Sequence, residues 1–248
     1  LLASDGYVFQ VFGFGLPDAK AHEALTAARG SIASLEIILP LDDMEAAIPA
    51  VEALGNELDC ETVVSPLMQS GGESGKGTFI HFIAHGFAPD ATIPEWLLQS
   101  NIGGLSFRIR HDQDPLEHAP QCAAHARAAG KKAHIQIATG DSNPAKMDHS
   151  QSKAANRARL AYISSRCCAE GTSIWLDTIS DVDRGSFPRL GLVDGRSNPG
   201  ASAIAIDRLA GKLSGSTSWN LEDRTKDSTG ETIILTSGSH RVEICLPD

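Results

Sequence analysis

The chain has 248 residues, 42% of them hydrophobic and 21% charged, which suits one large globular α/β domain or one domain with a small appendage. A formal net charge of -10 argues against a binder of nucleic-acid backbones, which needs a basic face. No apolar run approaches the roughly 20 residues that span a bilayer, and LLASDGYVF lacks the basic start of a signal peptide.

The first elements alternate strand and helix. Tyr7 to Phe14 alternates and runs into a turn at Gly15-Leu16-Pro17-Asp18, so it is predicted as a strand. Ala19 to Arg29 is predicted as a helix closed by Gly30. Ser34 to Leu41 is a buried strand, and Asp42-Asp43 are expected to cap a helix over Met44 to Leu54. Glu61 to Pro66 is a short strand, followed by a flexible loop over 69–77. Thr78 to Phe87 fits a strand or a helix, since a short apolar run without alternation settles neither. Ile93 to Gln99 is a helical turn with Pro94 near its start, Leu105 to Arg110 a strand, and Pro115 to Ala129 a helix ended by Gly130.

The stretch 131–213 organises the rest. A buried run from Ala133 to Ala138 stops at Gly140 and Asp141, and an amphipathic helix follows up to Gly171. A second buried run spans Ile174 to Ile179, and a polar loop leads to a helix opening at Pro199. Repeated β-loop-α units build parallel sheets, with chemistry at the carboxyl ends of the strands. After Gly215 the character changes, and Thr232 to Thr236 is expected to pair with Arg241 to Leu246 across a Ser-Gly-Ser turn. The expected division is therefore a barrel-like domain over 1–215 and a C-terminal β-extension over 216–248. These assignments give six strands, or seven with 78–87, against the eight of a closed (β/α)8 barrel.

Several familiar motifs fail on inspection. The loop GGESGKGT imitates a phosphate-binding loop, but Ser70 replaces its first Gly and Gly77 its Ser or Thr. There is no GxSxG elbow, and GFGLPD at 13–18 lacks the third Gly of a dinucleotide fingerprint, so no cofactor is expected. His81 and His85 are spaced four apart, as metal ligands on one helix would be, but no third ligand is evident and no metal is expected. None of Cys60, Cys122, Cys167, Cys168 and Cys245 forms a CxxC pair; the odd count points to reduced, buried thiols, with a disulfide or two left open for an exported protein.

What remains are polar groups at strand ends: Asp42 and Asp43, His111 and Asp112, Thr139 and Asp141, Trp175 and Asp177. In parallel strands these would gather on one rim. Carboxylates beside an aromatic platform suit sugar chemistry.

At this level the stretch resembles the last third of the retaining (β/α)8 glycoside hydrolase clan. GTSIWLDTISD resembles the clan's eighth strand, AANRARLAYISSRCCAEG the helix before it, and GLVDGRSNPGASAIAIDRLAGKLSG the loop and helix after it. Upstream, SLEIILPLDD resembles the fourth strand, ETVVSP the fifth and IGGLSFRIRHDQDP the sixth. The resemblance covers about residues 34 to 215. It implies a TIM-like barrel that is incomplete or shortened at its N-terminal side, with a small C-terminal β-unit. The departures bear on activity. The clan's acid/base Glu falls on Pro40 and its nucleophile Glu on or near Thr139, and neither residue can do that work.

The expectation is thus a glycosidase-like barrel without standard retaining activity, with a carbohydrate-binding or structural role. His111, Trp175 and Asp43 are its sugar-contacting candidates. The alternative is an active hydrolase with displaced carboxylates, Asp42 or Asp43 as acid and Asp141 or Asp177 as base or nucleophile. The resemblance favours an exported or periplasmic location, and an open barrel edge would favour a homo-oligomer.

Overall fold

The computed structural model describes residues 9–68, 84–140, 150–176, 191–194, 196–228 and 230–247. The chain forms a mixed α/β fold of two compact units. The first is Leu1–Arg108 with Ala124–His134, and the second is Ile109–Ala123 with Ile135–Asp248.

The first unit opens with β1 (Phe9–Phe14), α1 (Ala19–Ala27), β2 (Ile32–Leu39), α2 (Leu41–Leu58) and β3 (Glu61–Met68). Then come the two-residue β4 (Ala84–His85), α3 (Glu95–Leu98) and β5 (Gly104–Ile109). β1 pairs with β2, β2 with β3 and β3 with β5, all parallel. β2 shows why: Leu35, Glu36, Ile37 and Ile38 are all buried, so both faces of the strand are covered, as in a parallel sheet flanked by helices. α2 buries Met44, Ile48, Val51, Leu54 and Leu58, the spacing of one helix face. It touches β3 at Gly55, where a Cβ would stand 2.5 Å from Thr62 Cγ2. The N-cap of α2 is Pro40, so Asp42 and Asp43 lie inside its first turn rather than at the cap position, where they favour the positive helix end.

α4 (Pro115–Ala128) and β6 (Lys132–Ile137) each pass from one unit into the other. In the second unit β6 is followed by α5 (Gln151–Cys167), and β7 (Thr172–Leu176) is its neighbour in strand order. α6 (Ala201–Lys212) comes next. α5 starts at the Ser150 cap and packs on small residues, Ala154, Ala155, Ala158 and Ala161, which let α6 lie close. Arg157 of α5 donates to the carbonyls of Arg110, Gln113 and Ala138, fastening the segments that follow β5 and β6.

The chain closes with a separate antiparallel sheet of β8 (Asn220–Asp227), β9 (Gly230–Ser237) and β10 (His240–Pro247). The expected hairpin is present, with Arg241 opposite Thr236 and Cys245 opposite Thr232. β8 is an additional strand whose exposed, charged sequence NLEDRTKD has no apolar alternation to announce it. The sheet shares a core with the helices: Ile163, Leu209, Leu213 and Trp219 pack with Ile233, Leu235, Ile244 and Leu246. No disulfide joins cysteines among the described residues. No helix among the described residues is long and apolar enough to cross a membrane.

Candidate functional site

The most chemically distinctive cluster lies in the first unit, on the side of the sheet away from α2. Strand register builds it. Phe12 of β1 stands beside Glu36 of β2, and Glu36 beside Val63 of β3. Residues paired in this way point to one face, so Gln10, Phe12 and Phe14 share a face with Glu36, Glu61 and Ser65.

His85 reaches this face through a short insertion between strands. It pairs with Leu67 at the carboxyl end of β3. The Gly86 N–H then donates to the Pro66 carbonyl at 2.9 Å, and the Phe87 N–H to the Ser106 carbonyl at 2.8 Å. Gly86 sits at φ +104°, and a Cβ there would meet the Phe107 backbone at 2.9 Å, so only glycine fits between the strands. Residue 85 is extended, which removes the helical arrangement that would align it with His81; His81 lies outside the described residues.

Glu36 is the centre of the polar contacts. Its Oε1 is 3.3 Å from His85 Nδ1, with the carboxylate 5% and the imidazole 15% exposed. Gln10 Nε2 donates to Oε2 at 3.3 Å, and Ser65 and Ser106 also hydrogen-bond to the carboxylate. Burial on its own would push the Glu36 carboxyl up. The hydrogen bonds from His85, Ser106 and Ser65 and the His85 charge outweigh it and hold the group below its ordinary range. The ring of His85 stacks against Phe12 at 6.4 Å and meets Phe14 edge-on at 6.5 Å. Phe12 and Phe14 are 63% and 55% exposed, a wet aromatic rim beside a buried acid.

Ser65, His85 and Glu36 invite comparison with a nucleophile triad, and the geometry rejects it. Ser65 Oγ is 2.8 Å from His85 Nδ1, the same nitrogen that Glu36 approaches. A triad needs the serine and the carboxylate on opposite ring nitrogens. Ser65 is also fully buried. The serine serves to fix the ring and the carboxylate.

The polar string continues down the same face. Gln10 Nε2 also lies 3.4 Å from His134 Nδ1. If the amide donates there, the imidazole proton sits on Nε2, which faces Glu61 Oε1 at 3.6 Å, just beyond hydrogen-bond length. Both atoms are buried without a closer partner among the described residues. Lys132 Nζ holds the other Glu61 oxygen at 3.0 Å. Burial raises the Glu61 carboxyl, and His134 and Lys132 more than reverse this.

The residues singled out from the sequence fall elsewhere. Asp42 and Asp43 are exposed in the first turn of α2, directly after the carboxyl end of β2. His111 is exposed in the turn after β5, beside the Arg110–Asp112 ion pair. Trp175 is a 42% exposed side chain on β7. Asp141 and Asp177 lie outside the described residues. Of the two positions where the clan resemblance places its catalytic acids, Pro40 is the cap of α2 and Thr139 is buried just after β6. Among the described residues no group of three or more His, Cys, Asp or Glu is placed to hold a metal ion.

Sequence reasoning missed the Glu36–His85 pair. Glu36 lies inside an apolar strand, and a charged residue there is rarely buried without a partner. That was the available signal. His85, 49 positions away, stands out in the sequence only by its spacing from His81, and nothing there ties it to Glu36. Compared with models of known protein families and with curated proteins, the chain matches none.

Proposed function

We propose that this chain is a glycosidase-like domain of (β/α) barrel type that binds carbohydrate at the carboxyl ends of its parallel strands without standard retaining hydrolysis. One observation carries the reading: the exposed Phe12 and Phe14 rings flank His85, which is oriented by the buried Glu36. A flat apolar surface next to fixed polar groups is what a sugar ring requires. Glu36 suits orientation better than proton transfer. Its oxygens accept several hydrogen bonds and it is held ionised, so it has no proton to give a glycosidic oxygen. The strand and helix order, the added β-unit and the clan resemblance support the fold side of the proposal.

The test is a glycan array followed by titration of any ligand found, on the unmodified protein and on Phe12→Ala and Trp175→Ala. Loss of affinity in either variant supports the reading and says which surface carries it. No glycan bound, or binding indifferent to both changes, sinks it.

A hydrolytic reading keeps one observation in its favour, the exposure of Asp42 and Asp43 directly beyond the end of β2. Turnover of aryl glycosides that disappears in Asp42→Asn would replace the binding proposal with this one.

A further inference from the structure

We propose that the outer edge of β1 is an interface at which a second copy of this chain pairs strand to strand. The inference does not rest on the carbohydrate reading, although the edge carries the same Phe12 and Phe14.

The Gly15 N–H donates to the Ile38 carbonyl at 2.8 Å. Alternation along the strand then turns Val11 and Gly13 toward β2, and leaves the N–H and C=O groups of Gln10, Phe12 and Phe14 pointing away from it. β1 stands at the end of the strand order, and β2 is its strand partner among the described residues. Phe12, Phe14 and Leu16 are all exposed along this edge.

Exposed strand edges are normally guarded by charge, proline or a bulge. This protein does so at both edges of its three-stranded sheet. β8 carries Glu222, Asp223, Arg224, Lys226 and Asp227 and a register shift between Leu221 and Asp223. β10 carries Arg241 and Glu243 and ends at Pro247. β1, FQVFGF, has no charge and no proline, and its one irregularity is at its first step, between Phe9 and Gln10.

The missing guard also indicates the occupant. In a chain of net charge -10, two copies repel wherever their acidic surfaces meet. An uncharged strand is where they can approach without that repulsion. A two-fold contact asks each copy for the same patch, and β1 is self-complementary. Antiparallel pairing centred on Gly13 sets each Phe12 opposite the other copy's Phe14, on the face that carries His85. The opposite face at the axis presents Gly13, and no atom of the described residues stands within 4 Å of where a Gly13 Cβ would be.

The experiment is sedimentation equilibrium over a wide concentration range, with amide hydrogen exchange on the same samples. The mass should rise from 26.2 kDa toward twice that value. The Phe12 and Phe14 amides should slow in step with it. Phe12→Pro removes an edge N–H without breaking a bond to β2 and should stay monomeric, as should Phe12→Lys. A monomer at every concentration overturns the proposal. So does a dimer whose Phe12 and Phe14 amides exchange as fast as in the monomer, or a folded Phe12→Pro that still dimerises. Protection of both amides at all concentrations in a monomer would mean that the chain's own residues cover the edge, which also overturns it. Should both variants fail to fold, exchange in the unmodified protein decides.

Discussion

Oε1 of Glu36 lies 3.3 Å from Nδ1 of His85, joining the middle of a buried parallel strand to a two-residue strand 49 positions further along the chain. Glu36→Gln keeps the shape and removes the charge, leaving an amide that donates where donors already point. A cost of about 1–3 kcal/mol is expected, read from urea unfolding midpoints. A change below a few tenths of a kcal/mol would mean that the contacts around Glu36 hold nothing together.

The same residue sets an acid limit. Its folded carboxyl lies below the ordinary value of 4.5. Its contribution is therefore fully present above about pH 4.5 and is lost as the pH falls through the lower folded value. Glu61 and Asp114 are lowered in the same direction, so some acid decline remains without Glu36. Unfolding midpoints followed from pH 7 to pH 3 should fall less steeply in Glu36→Gln. Identical slopes would exclude the linkage.

Arg157 gives a separate prediction. One guanidinium serves the carbonyls of Arg110, Gln113 and Ala138, and a lysine cannot reproduce that fork. Arg157→Lys should cost about 2–3 kcal/mol, close to the effect of Arg157→Ala, because the Gln113 and Ala138 carbonyls lose this donor, while that of Arg110 keeps the Gln113 N–H at 3.0 Å. Full retention of stability in the lysine variant would show that charge alone suffices.

Thiol reactivity should separate the cysteines. Burial, aided by the neighbouring Cys168, pushes both Cys122 and Cys167 up to about 12. Iodoacetamide at pH 8 should label the exposed Cys245 in the folded protein and leave Cys122 and Cys167 unlabelled until urea is added. Early labelling of Cys122, read by peptide mass spectrometry, would contradict its burial.

Affinity for a glycan, once a ligand is found, should fall on the order of tenfold for Phe12→Ala, the roughly 1.4 kcal/mol that one aromatic face supplies. Isothermal titration reads this directly.

Periodicity was enough for most elements. β2, β5, α4 and the β9–β10 hairpin all carry a pattern that their surroundings repeat, apolar where they pack and punctuated by Gly or Pro where they stop. The pattern gives out where neighbours decide. β8 is a strand because β9 offers it hydrogen bonds from Asn220 to Asp227, while its own residues are charged and exposed. α2 runs on to Leu58 through Pro49, whose ring faces solvent, and stops where Asp59 turns left-handed. For the site, the sequence marks strand ends, since loops after strands are where polar residues stand clear of packing. It cannot mark Glu36 and His85 together, because register and the wedge at Gly86 create their meeting.

The core around Trp219 has a practical consequence. Leu209 and Leu213 on one side of residue 215 pack with Ile233, Leu235 and Ile244 on the other. A fragment ended near Gly215 would carry that half-core into water, and a truncation series stopping there would report insolubility in place of function. Expression boundaries should therefore keep the last three strands with the helices that they cover.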